Sequence, residues 1–147
     1  MDAEPFPIWL FVISWGWVAL VIGASIIYRR ANGKPIIPRV PKNALFVERK
    51  ASGTWASNCL IVTVTPEEMV VTPFFPFTLG FLPEVYRMEH RIPLRRIRSV
   101  ERKRGFLSNN IIVRYDGPDE RVVKLRVRDP DKLAAVLAAQ RVPVRSA

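Results

Sequence analysis

The residues best equipped for chemistry are cations. Arg95, Arg96, Arg98, Arg102, Lys103 and Arg104 crowd one short stretch, interrupted by a single acid, Glu101. Such a run suits anions, and each base near a negatively charged bilayer adds ~1 kcal/mol of attraction. The plainer reading is a solvated strand face in an arginine-rich chain. Arg114 and Lys124 join the set, because pairing their segments in phase makes them cross-strand neighbours. That like-charge contact needs an anion or an acid to relieve it. The other reactive side chains are sparse. One cysteine, Cys59, and one histidine, His90, exclude an internal disulfide and leave too few ligands for structural zinc. His90 lies between Glu89 and Arg91 with no partner singled out for proton transfer, so it reads as an ordinary surface or half-buried histidine. Glu67-Glu68 and Asp119-Glu120 read as turn residues. No phosphate-cradling glycine loop, nucleophile elbow or metal pair is present in the chain. A binding role without catalysis, cofactor or metal is therefore expected.

A second anomaly is apolar. Phe74, Phe75, Phe77, Phe81 and Leu82 lie in FFPFTLGFLP, which two prolines and a glycine disqualify as a long strand. A loop this apolar folds over the core, dips into lipid headgroups or docks a partner. It is too short to cross a membrane.

The charge is unevenly placed along the chain. Of 147 residues, Ile8–Tyr28 carry no charge, while residues 29–147 hold all 23 bases against 11 acids, a net +12. As a helix, Ile8–Tyr28 spans ~31 Å, close to a bilayer's hydrocarbon core. A soluble helix of this length needs a polar stripe, and here only Ser14 and Ser25 are polar. A signal peptide starts with positive residues, whereas this segment follows Asp2 and Glu4. A transmembrane helix is expected. Arg29, Arg30 and Lys34 come directly after it, so residues 1–7 face out and the larger part faces the cytoplasm. Gly16, Ala19 and Gly23 share one stripe that permits close helix packing with a partner or a second copy.

Residues 29–43 form a basic linker in which Pro35, Pro38 and Pro41 recur every third position. That spacing suits an extended polyproline spacer. From residue 44 short β-branched runs follow, broken by turn chemistry: Ala44–Lys50, Asn58–Thr65, Glu68–Thr72, Glu84–Leu94, Arg98–Phe106, Asn110–Asp116 and Val122–Arg128. For Ile111, Val113 and Tyr115 to share a face with Val123, Leu125 and Val127, residue 115 is set opposite 123 and 113 opposite 125, with Gly117–Arg121 as the turn. Asp129-Pro130 then opens a helix whose Leu133, Val136 and Leu137 pack on the sheet. The tail, residues 141–147, has no pattern. The expected fold is one transmembrane helix plus a mainly-β domain at 44–140. That domain has about seven strands in a bent sheet or partial barrel and a capping helix at its C-terminal end.

Seven strands followed by one helix is the order of the pleckstrin-homology superfold. Ile92, Pro93, Leu94, Ile97 and Val100, the glycine hairpin after Asp116 and the Asp129-Pro130 helix start resemble the second half of bacterial PH-like and GRAM-like domains. CLIVTVTPEEMVV resembles their earlier hairpin. The resemblance implies a lipid- or protein-binding module. The sequence departs from phosphoinositide-binding members in having bases, Arg49 and Lys50, at only one end of the first hairpin. The expected role is a single-pass, membrane-anchored binding module that engages anionic lipid or a protein partner. The alternative is an accessory subunit of a membrane complex. Nucleic acid is disfavoured by the anchor.

Overall fold

The computed structural model describes residues 7–105, 109–118 and 121–146. The expected turn acids Asp119 and Glu120, the strand end at Phe106 and most of the N-terminal segment lie outside those residues.

The uncharged run forms helix α1, Ile8–Ala31, three residues longer than expected. It is long and apolar enough to cross a membrane, with a mean hydropathy of 2.2 over its most apolar window. Asn32 and Gly33 stop it. Gly33 takes a left-handed φ of +64°, its N–H bonds the Arg30 carbonyl, and the Lys34 N–H bonds the Arg29 carbonyl at 2.8 Å. This is a Schellman turn, in which glycine relieves the steric cost of the reversal. It folds Lys34 back beside Arg29.

Two four-stranded sheets follow. The first runs β1 (Phe46–Ala51), β2 (Leu60–Val64), β3 (Glu68–Pro73) and β4 (His90–Pro93), each antiparallel to the next. The second has β5 (Ile97–Arg104), β6 (Asn109–Tyr115), β7 (Arg121–Arg126) and β8 (Val144–Ser146) in the order β7-β6-β5-β8. A 3₁₀ turn at Leu94–Arg96 joins the sheets at one corner, and paired backbone bonds between Ser52 and Arg126 join them at another. Apolar faces of both sheets meet in one core, with Val62, Val64, Met69, Ile92, Val100, Ile111 and Val113 almost wholly buried.

Eight strands are therefore described where about seven were expected. The extra one, β8, comes from the tail and lies parallel to β5, with Val144 opposite Val100. The expected strand from Glu84 shrinks to His90–Pro93, because the preceding residues form a short helix, α2 (Leu82–Val85), with Pro83 in its first turn. The β6–β7 register also differs, with Tyr115 opposite Arg121, Val113 opposite Val123 and Ile111 opposite Leu125. A slip of two residues leaves every side chain on its expected face, so alternation alone cannot detect it.

Helix α3 (Pro130–Ala139) begins as expected, with the Asp129 carboxylate accepting the Lys132 N–H at 3.0 Å. Leu133 and Leu137 are fully buried in the core, and Val136 packs against it. A second carboxylate fixes this junction. Glu48 of β1 is buried and accepts the backbone N–H groups of Arg128 and Asp129.

Candidate functional site

The least expected residue is Arg29. A charge flanking an apolar span ordinarily reaches for water, yet the Arg29 side chain is fully buried. Its guanidinium pairs with Glu84 at 3.3 Å and with Glu89, and donates to the Pro35 carbonyl at 3.0 Å. Lys34, brought alongside by the Schellman turn, pairs with Glu84 at 3.1 Å and Glu89 at 3.5 Å. Burial works against the Lys34 ammonium, but its hydrogen bond to Glu84 and the field of Glu89 and Glu84 outweigh that and hold its pKa above the usual lysine value. Two cations and two carboxylates thus bolt the end of α1 to the segment between β3 and β4.

The Phe-rich loop belongs to the same junction. The Phe81 N–H donates to the buried Ser25 hydroxyl at 3.3 Å, and the Phe81 and Tyr28 rings lie 5.6 Å apart. The fully buried Thr78 donates to the Ile36 carbonyl at 2.7 Å. Phe74 packs against the core and meets Phe77 edge to face, while Phe75, Phe77 and Leu82 stay exposed. The linker is held at Pro35 and Ile36 by these contacts.

A cleft of about 660 Å³ opens beside this junction. Three segments that are distant in sequence build it: the turn after β1, the chain after α2, and the start of β7. Trp55, Val85, Tyr86 and Met88 supply apolar wall, and Arg87, Arg121 and Lys124 supply charge. Among the described residues that line it there is no carboxylate. His90 faces it half-buried, with Nδ1 3.5 Å from the Tyr115 hydroxyl. Burial lowers the His90 pKa and the Arg121 charge lowers it further, against an opposing bond with the Arg87 backbone. A histidine whose folded pKa is depressed takes up protons more readily when unfolded. Its contribution to stability is full above the unfolded value of ~6.5 and fades as pH falls through the folded value. Acid titration of thermal stability should therefore show a loss beginning near that pH. His90→Gln should flatten the profile there, and an unchanged profile would show that His90 is not its source.

The expected basic run does not form one patch. Arg102 and Arg104 point to α3, where both pair with Asp131, and Arg98 pairs with Asp116 near the other end of β5. Arg95 and Arg96 are exposed in the corner turn. Lys103, Arg114 and Lys124 do share a face. By register they lie on the outer surface of the second sheet with Arg126 and Arg145. Arg114 is not directly opposite Lys124; it faces Val122, and Lys124 faces Ile112. The Arg114 charge is instead met by Glu101 at 3.4 Å.

Gly16 and Ala19 are exposed on α1, and open space surrounds Gly16 and Gly23. Burial raises the Cys59 pKa, which disfavours its thiolate form. Among the described residues, no group of three or more His, Cys, Asp or Glu is placed to hold a metal. Sequence reasoning missed Glu84, Glu89 and Trp55. The signal for the two acids was their position beside an otherwise uncharged apolar loop. No protein-family model matches the chain, and no curated protein matches it.

Proposed function

We propose that this protein is a single-pass, membrane-anchored binding module, without catalytic activity, that holds an anionic lipid headgroup at the bilayer surface. In this reading α1 spans the membrane with its N-terminus outside, and the PH-like domain sits in the cytoplasm. The observation that carries it is the shared segment: the residues just after α2 line the cleft, and α2 itself begins at the loop bolted to α1. In this reading an apolar-walled, cation-bearing cleft lies within reach of a lipid headgroup. Clustered cations select anions, and apolar walls accept acyl chain.

The test uses the full chain in phosphatidylcholine nanodiscs, titrated with dioctanoyl phosphatidate. Binding is read as the emission change lost in Trp55→Phe. Saturable binding that weakens with salt is expected. Arg121→Gln with Lys124→Gln should weaken it by about 2 kcal/mol, or roughly 30-fold, at ~1 kcal/mol per base. Equal binding of uncharged dioctanoylglycerol would overturn the ligand class. A cytoplasmic reporter fused after Ala147 should be active; activity of an exterior reporter there would overturn the orientation. If no lipid binds, the accessory-subunit reading replaces this one.

A further inference from the structure

We infer that the loop from Phe74 to Pro83 is a lipid-immersed foot, which sets the β-rich domain into the same leaflet that α1 leaves. The inference rests on reading α1 as a bilayer span. It does not depend on what the cleft binds.

The first argument is depth. Phe81 is fixed to Ser25, and Arg29 lies four residues further along α1. At ~1.5 Å per residue Phe81 therefore stands ~6 Å to the bilayer side of the ion cluster, while Thr78, bonded to Ile36, ties the loop's other part to the linker beside the cluster. Residues 8–20 of α1 are exposed all round, but Val21, Ile22 and Ile26 are half-buried and Ser25 is fully buried. The domain thus reaches alongside the last turns of the apolar run. Burial to ~5–10 Å is the depth at which interfacial apolar segments rest.

The second argument is composition. Nothing in Phe74–Pro83 is charged, and Phe75, Phe77 and Leu82 remain exposed. Glu84, the first charge beyond, turns inward to Arg29 and Lys34.

The third is backbone chemistry. Leaving water favours a backbone whose polar groups are already partnered or absent. Pro76 and Pro83 have no N–H to satisfy. Of the eight N–H groups in Phe74–Pro83, those of Phe74, Phe77, Leu79 and Phe81 bond to Cys59, Phe74, Pro76 and Ser25 respectively, which lowers the cost of taking them out of water. Taken together, the three observations favour lipid over a protein partner as the occupant.

The experiment places a fluorophore at Phe77→Cys or Leu82→Cys, each in a Cys59→Ala full chain reconstituted in phosphatidylcholine vesicles. Nitroxide lipids carry the quencher either near the headgroup or near the acyl terminus. Ile13→Cys reports the span, and Lys103→Cys reports the aqueous face of the domain. Probes at 77 and 82 should lose most fluorescence to the shallow nitroxide, the Ile13 probe most to the deep one, and the Lys103 probe little to either. Quenching at Ile13 without quenching at 77 or 82 overturns the foot and leaves the span intact. No quenching at Ile13 overturns the span and the foot with it. If probe 77 fails to fold, as read by circular dichroism, probe 82 decides.

Discussion

Arg29→Ala should destabilise the full chain by about 3 kcal/mol, the low end of what breaking a buried ion pair costs. The reason is what remains behind. Glu84 and Glu89 have side chains only 20% and 26% exposed, and without Arg29 they keep, among the described residues, only Lys34 as a paired cation. Lys34 keeps the loss from reaching the upper end. The change is read by thermal unfolding in nanodiscs and by protease cutting between residues 36 and 43, which should accelerate as the linker comes loose. A triple change, Arg29→Met with Glu84→Gln and Glu89→Gln, should recover most of the loss, because no buried charge is then left unpaired. A single-mutant cost near that of an exposed ion pair, ~0.5 kcal/mol, would show that the cluster does not hold the domain to the helix.

Leu137→Ala should cost ~2–5 kcal/mol, the range for deleting a buried leucine side chain. Leu137 is fully buried, and its helix packs on strands of both sheets, so the cavity opens where β1, β5, β6 and β8 converge. Little collapse is available there, since Leu133, Val100 and Val113 are already close-packed core residues. Ala138→Ser, one residue along and exposed, should cost little. Urea unfolding of the two variants separates these outcomes. Equal costs would mean that α3 lies on the domain without sealing it.

How much was legible follows from the range of each signal. Helix α1 is announced by one uninterrupted apolar run, and the start of α3 by Asp129-Pro130, because both signals are local. Alternation over β6 and β7 assigns each residue to a face but not to a partner, since any even slip gives the same faces. β8 is three residues long and is defined by its neighbour β5, so no periodicity could reveal it. The Phe-rich loop was visible as an anomaly of composition, while its seat against Ser25 and Tyr28 was not. The basic run misled for a similar reason. Residues adjacent in β5 point to opposite sides, so Arg102 and Arg104 part from Lys103. The cleft joins three segments, and no single stretch of sequence bears its mark. Excising residues 44–147, an obvious way to study the β-rich region, would remove Arg29 and Lys34 and strip the partners from Glu84 and Glu89.

The ion cluster also imposes an order of events during synthesis. Glu84 and Glu89 follow Arg29 by 55 and 60 residues. At ~5–20 residues per second the ribosome delivers them roughly 3–12 s later. In the proposed topology, Arg29 and Lys34 are bare cations while α1 takes its orientation, and count fully toward retention on the side of synthesis. Only afterwards do the two glutamates arrive and cancel them. In that topology the same side chains serve twice, first as an address and then as a fastening, and the second use erases the charge on which the first depends.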